Sequence, residues 1–99
     1  MITSASNKSI KNVQALLSKA KERKKQGVFV VEGPKMSFEA PYDWVSAVYM
    51  SESFFNDDRF KEEKKRFIDK TEIVSDAVFK GMSDTQTPPG VLALVKRPH

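Results

Sequence analysis

Between residues 7 and 20 the apolar positions Ile10, Val13, Leu16, Leu17 and Ala20 recur every three or four residues, the spacing of a helix with one buried face. Asn7 stands where an N-cap would. At 100° per residue, with Lys8 as origin, those five side chains span about 80° to 200°, whereas Lys8, Lys11 and Lys19 project at about 0°, −60° and 20°. The lysines therefore face away from the apolar stripe. The period then changes. Gln26-Gly27 ends the basic stretch, and Val28-Phe29-Val30-Val31 is a β-branched and aromatic run that predicts a buried strand. Glu32-Gly33-Pro34 follows, with Pro34 suited to the first turn of a helix reaching about residue 40. Pro41 stops that helix, and residues 44–50 (Trp-Val-Ser-Ala-Val-Tyr-Met) predict a second strand.

A charged helix is predicted over residues 56–68, with Asp57 and Asp58 at its start and Lys64, Lys65 and Arg66 near its end, the order that suits the helix macrodipole. Residues 72–74 predict a short third strand, and Ser75 can cap a short helix carrying Val78, Phe79 and Met82. Residues 83–90 form a turn-rich loop containing Pro88-Pro89-Gly90, and residues 91–95 predict a fourth strand. Four helices alternating with four strands predict an α/β/α sandwich around a small sheet.

Composition narrows the chemistry. The 99 residues contain no cysteine and a single histidine, His99. Disulfides, thiolate nucleophiles, iron–sulfur clusters and cysteine-based zinc sites are excluded together, and imidazole catalysis is disfavoured. No apolar run approaches the roughly 18 residues of a membrane span, and residues 1–25 hold no apolar signal core, so no membrane partner and a cytoplasmic location are expected. The formal net charge of +4 is unevenly distributed. Residues 1–25 carry seven basic residues against one acid, whereas residues 26–99 carry ten against twelve. A basic end on a mildly acidic body suits contact with a polyanion, and a solvated basic helix would carry the same charges.

Familiar catalytic motifs are absent. Gly27, Gly33, Gly81 and Gly90 are too scattered for a dinucleotide fingerprint or a phosphate-binding loop. Asp57-Asp58 and Glu62-Glu63 are interleaved with Lys and Arg, the pattern of a solvated, salt-bridged face. Ser51, Ser53 and Ser75 have no His or Lys arrangement that marks a nucleophile. Tyr42, Trp44 and Tyr49 could stack on unpaired bases, but their places in and before an apolar strand point to core packing. Glu32 closes a buried strand, so it is expected to accept hydrogen bonds from backbone amides or to pair with a base.

Set in order, the chain reads Ile2-Thr3-Ser4, then Asn7-Lys8-Ser9-Ile10-Lys11, Leu16-Leu17, Lys21-Glu22-Arg23, and Gly27-Val28-Phe29-Val30-Val31-Glu32-Gly33. Phe38-Glu39-Ala40 follows, and far downstream Ser83-Asp84-Thr85-Gln86-Thr87-Pro88-Pro89-Gly90-Val91. Over essentially its whole length this resembles the N-terminal substrate-binding domain of the SpoU/TrmH-type RNA 2'-O-ribose methyltransferases. The ordered combination of blocks is far more specific than any one of them. The resemblance implies an α/β/α sandwich with a mixed sheet, like that of the kink-turn-binding ribosomal proteins. It implies that residues 1–99 form an RNA substrate-binding domain. In such enzymes a knotted methyltransferase domain follows, binds S-adenosylmethionine and supplies the dimer contacts. That domain is absent from these residues, so an excised domain is the expectation, monomeric, without a cofactor and without catalysis of its own.

Carried over from the resemblance, the RNA-facing positions are Asn7, Lys8 and Lys11, then Lys21 and Arg23, then Thr85, Gln86, Thr87 and Gly90. Arg23 has the planar fork suited to bidentate phosphate contact. Gly27, Glu32 and Gly33 match scaffold positions. One departure stands out: Pro89 occupies a place that is commonly Gln in the family, and proline cannot make an amide's hydrogen bonds. The functional expectation is an RNA-recruiting domain for ribosomal or transfer RNA. Two alternatives stay open: a stand-alone kink-turn-type RNA-binding protein, and a protein-interaction domain with a basic docking helix.

Overall fold

The amphipathic stripe folds as helix α1 (Lys8–Ser18), with Ile10, Val13 and Leu16 fully buried. Asn7 caps it, its Oδ1 accepting a 2.8 Å hydrogen bond from the Ser9 amide. The computed structural model describes residues 1–83 and 88–96. After α1 the chain does not turn directly into the sheet: residues 20–26 form a second helix, α2 (Ala20–Gln26). None of its residues is buried, so it leaves no trace in the apolar pattern. It rests on helix-favouring residues, on Glu22 in its first turn and on Arg23, Lys24 and Lys25 in its last.

Strand β1 (Val28–Glu32) leads to α3 (Pro34–Glu39), and a 3-10 turn (Tyr42–Trp44) precedes β2 (Val45–Ser51). The charged helix expected over residues 56–68 is instead two helices, α4 (Glu52–Asn56) and α5 (Lys61–Arg66), followed by a 3-10 turn (Ile68–Lys70). Local hydrogen bonding causes the break: Asp57 Oδ1 accepts from the Arg59 amide at 2.7 Å and from Arg59 Nε at 3.0 Å. Phe60 then adopts φ 59°. Strand β3 (Thr71–Val74), helix α6 (Asp76–Met82) and strand β4 (Val91–Lys96) complete the described chain. Ser75 caps α6 as expected, its Oγ accepting from the Val78 amide at 3.3 Å.

The sheet order is β1-β4-β2-β3. Strand β4 runs antiparallel to both neighbours and β2 parallel to β3, so the sheet is mixed. Central β4 is buried on both sides: Leu92 and Leu94 pack under α1 and α6, whereas Val91, Ala93 and Val95 pack under α3, α4 and α5. A bulge between Val45 and Ala47 sends Val45, Val48 and Met50 to the second face and Tyr49 to the first. This is the expected α/β/α sandwich. The strand expected to be buried, β1, is an edge strand, and four of its five residues are half-buried. The other edge is extended by Ile2, which bridges Val74 in parallel and donates its amide to the Ile73 carbonyl at 2.8 Å.

The two cores differ in chemistry. The face under α1 and α6 is mainly aliphatic, with Tyr49 and Phe79 buried in it. The opposite face is aromatic, with Phe38 ring centroids 5.6 Å from Phe60 and 6.1 Å from Phe67. Core packing holds for Tyr49 and Tyr42 but fails for Trp44, which ends the 3-10 turn outside β2 and is 44% exposed. Trp44 lines a groove with Phe29, Val31, Met36 and Val95 on the aromatic side. Ser37, on α3, is fully buried, and its hydroxyl finds no partner among the described residues. An unpartnered buried hydroxyl costs roughly 1–3 kcal/mol, so Ser37→Ala is expected to leave stability unchanged or raise it by about 1 kcal/mol in chemical denaturation.

Two glycines fix the loops at one end of the sheet. Gly33 (φ 98°, ψ 154°) occupies a conformation that side chains disfavour, and its amide donates to the Val91 carbonyl at 2.9 Å, prolonging the β1/β4 ladder. Gly90 (φ 89°) packs so closely on α4 that a Cβ would lie 2.9 Å from Phe54 Cβ. Nearby, Asp76 ties α6 to α4: its carboxylate accepts from the Ser53 amide at 3.0 Å and from the Ser53 hydroxyl. Those bonds hold the Asp76 carboxyl below its ordinary value, as the Arg59 bonds do for Asp57. The unfolded chain then takes up protons first as pH falls, so stability is lost through and below the usual aspartate range near pH 4. Asp76→Asn should flatten this decline in denaturant midpoints measured from pH 5 to pH 2.

Candidate nucleic-acid interface

Apart from Lys35, exposed on α3, the basic residues fall into two groups that the fold treats differently. Among the described ones beyond residue 58, five are engaged, whereas Lys65, Lys80 and Lys96 are exposed. Arg59 pairs with Asp57, Lys61 lies 3.9 Å from Asp58, and Arg66 Nη2 donates to the Phe38 carbonyl at 2.6 Å. Lys70 Nζ donates to the Tyr42 and Val45 carbonyls and sits 3.8 Å from the Tyr42 ring centroid. Lys64 is buried, donates to the Asp57 carbonyl at 2.7 Å and stands over Phe54, and burial pushes its ammonium below the ordinary lysine value. These cations cap chain ends and cover rings. Asp57-Asp58 lies between helices and Glu62-Glu63 in the first turn of α5, among their cations, as a solvated face requires.

The amino-terminal group is different. Lys8, Lys11 and Lys19 on or beside α1, and Lys21, Lys24 and Lys25 on α2, are all exposed. Both ion pairs seen among the described residues lie elsewhere. The single acid on α2, Glu22, accepts a 3.3 Å hydrogen bond from Gln26. Six positive charges thus project from two helices with little compensation.

The helices are held as one unit. Arg23 Nη1 donates to the carbonyl of Leu16 at 2.6 Å and of Leu17 at 3.3 Å, satisfying acceptors that α1 leaves open at its C-terminal end. Gln26 Nε2 donates to Asn12 Oδ1 at 2.8 Å, and Asn12 Nδ2 returns a 3.4 Å bond. Arg23 is half-buried, so the fork expected to grip phosphate has one arm committed to the hairpin. Asn7 likewise spends its side-chain oxygen on the cap. The Asn7 cap is the one expected from its position, whereas the Arg23 contact is not visible from spacing.

The described site residues run from one end of the sheet to the other: α1 begins where Ser9 meets Tyr49, which pairs with Leu92, and α2 leads into the opposite end at Val28. Val28, which follows α2, pairs with Lys96, whereas Glu32 pairs with Leu92 at the other end of β1. The length of β1, roughly 15 Å at the strand rise, separates the α2 end from Glu32. Thr85, Gln86 and Thr87 lie outside the described residues. Gly90 is described, and it packs so closely on Phe54 that an added Cβ would lie 2.9 Å from Phe54 Cβ. Glu32 is half-buried, and among the described residues it accepts a 2.6 Å hydrogen bond from Ser83 Oγ, a hydroxyl in place of the expected backbone amide or base, joining the end of α6 to the end of β1.

Among the described residues no group of three or more His, Asp or Glu side chains could hold a metal ion, and no helix is long and apolar enough to cross a membrane. A groove of about 890 Å³ lies on the aromatic side between α3 and α5 and carries charges of both signs, including Glu39, Glu62, Lys65 and Arg66. It has no resemblance to the lysine face across the sheet.

Residues 7–93 match the family described as the MRM3-like substrate binding domain. Among solved structures, an rRNA methyltransferase from Sinorhizobium meliloti superimposes with a TM-score of 0.77 at 18% identity, covering 99% of this chain and 37% of its own. An RNA 2'-O ribose methyltransferase gives 0.70 at 28% identity, covering 99% of this chain and 38% of its own. The SpoU methyltransferase AviRb from Streptomyces viridochromogenes, solved with its cofactor AdoMet, gives 0.65 at 21% identity, with 94% of this chain and 36% of its own covered. Comparison with curated proteins finds no match. The chain therefore spans a little over a third of the length of the solved proteins it resembles.

Proposed function

This chain belongs to the MRM3-like substrate-binding domain family, and from that premise we propose that it recruits structured RNA for a SpoU-type 2'-O-ribose methyltransferase. The observation that carries the reading is the α1–α2 hairpin, whose six exposed lysines stand on a locked pair of helices with almost no acid beside them. Lysines that neutralise phosphates release counterions, and holding them on a rigid hairpin lowers the cost of ordering them.

In this reading residues 1–99 bind and present ribosomal or transfer RNA in the cytoplasm, and methyl transfer belongs to a knotted partner domain. That domain would bind S-adenosylmethionine and form the homodimer, while the present domain stays monomeric and non-catalytic. Asn7, Lys8, Lys11, Lys21 and Arg23 belong to the hairpin contact, Asn7 and Arg23 chiefly by shaping it. Thr85, Gln86, Thr87 and Gly90 are the further positions proposed to meet RNA.

The test is a titration of isotope-labelled protein with structured ribosomal RNA fragments and with transfer RNA, following backbone amides at low and at physiological salt. Shifts clustered on residues 7–25 that shrink as salt rises are the expected result. If neither RNA moves those amides even at low salt, the recruiting role falls and a docking surface for an acidic protein takes its place.

A further inference from the structure

We propose that the α1–α2 face binds the phosphate backbone of duplex RNA without reading its bases, and does so in preference to single-stranded RNA. The proposal rests on the RNA-recruiting role above and concerns which form of RNA the lysines meet.

It follows from the chemistry this face lacks. Recognition of single strands depends on stacking bases against aromatic side chains or arginine planes. Residues 8–26 contain no aromatic residue. On the same side of the sheet, Tyr49 and Phe79 are only 5% and 2% exposed, sealed beneath the helices. Seven other aromatic residues pack on or against the opposite face, and Trp44 lines a groove there with Phe29 and Val95. The only arginine of the hairpin, Arg23, has its Nη1 arm on the Leu16 and Leu17 carbonyls.

Base-edge reading is curtailed in the same way. The amides of Asn12 and Gln26, groups suited to reading bases, are bonded to each other, and the Asn7 oxygen is held by the Ser9 amide. What projects is lysine, a compact charge that recognises phosphate as a point and carries no sequence information. A duplex offers such a face two strands of phosphates in a fixed array. A single strand offers fewer charges per unit length and bases with nothing to stack on.

The test is filter binding of the whole chain to three probes at 50 and 200 mM salt. They are an RNA duplex of about 16 base pairs, a second duplex of equal composition and shuffled sequence, and single-stranded polyuridylate with the same number of phosphates. The two duplexes should bind within about twofold of each other and at least about tenfold more tightly than polyuridylate, with steep salt dependence. In Lys11→Gln/Lys24→Gln the slope of log K against log salt should fall by about 0.9 for each lysine that contacts a phosphate. Polyuridylate binding as tightly as duplex, or a tenfold difference between the duplexes, overturns this inference and leaves RNA recruitment standing. No binding to any probe at 50 mM salt overturns both.

Discussion

Replacing Lys8 and Lys11 together by glutamate is expected to weaken binding of structured RNA about thirtyfold in isothermal titration at 0.1 M salt, close to 2 kcal/mol. A unit charge pair at 4 Å in water is worth about 1 kcal/mol, and each reversal both removes an attraction and adds a repulsion. Two reversals reach up to about 4 kcal/mol unscreened, and salt at this concentration removes roughly half. The fold should not notice. Both side chains are exposed, neither has a hydrogen bond or ion pair among the described residues, and an acid at position 8 falls in the first turn of α1, where the macrodipole welcomes it. A melting temperature within about 2 °C of the parent is therefore expected. Unchanged affinity in a folded double variant would remove this face from the RNA contact.

Gly90→Ala is expected to do the reverse, lowering the melting temperature by about 10–20 °C while leaving affinity unchanged at temperatures where the variant is folded. At φ 89° a side chain is strained, and the added Cβ would meet Phe54 Cβ at 2.9 Å and Ser51 Oγ at 3.2 Å. Backbone strain and overpacking together come to roughly 2–3 kcal/mol, and each kcal/mol moves the midpoint of a domain this small by about 4–8 °C. The displaced atoms matter because Ser51 Oγ caps α4 and the Ser51 amide bonds the Gly90 carbonyl at 2.8 Å. A loss of affinity in a variant that keeps its melting temperature would put the main effect of Gly90 in the RNA contact rather than in the fold.

The elements that bury a face are those that could be read in advance. Helix α1 announces itself because Ile10, Val13 and Leu16 must reach one core. Strand β4 does so because residues 91–95 are sealed on both sides, and α6 because Ser75 caps it visibly. Helix α2 buries nothing, so its existence depends on propensity and on Arg23 reaching back to α1, a contact with no sequence period. The same gap explains the site. The lysines were legible as a charge cluster, whereas the division of labour between Lys8 and Arg23 depends on which carbonyls the end of α1 leaves open. Trp44 was misplaced because the run of residues 44–50 reads as one strand, and only the 3-10 turn over Tyr42–Trp44 shows that its first residue lies outside.

The position of Trp44 also makes this protein convenient to observe. It is the sole tryptophan, half in water, at the margin of the aromatic layer and across the sheet from the lysines. Its intrinsic emission should shift when that layer comes apart and stay silent when a polyanion settles on α1 and α2. Unfolding can then be followed with a polyanion present as well as in its absence, without attaching a dye to the protein.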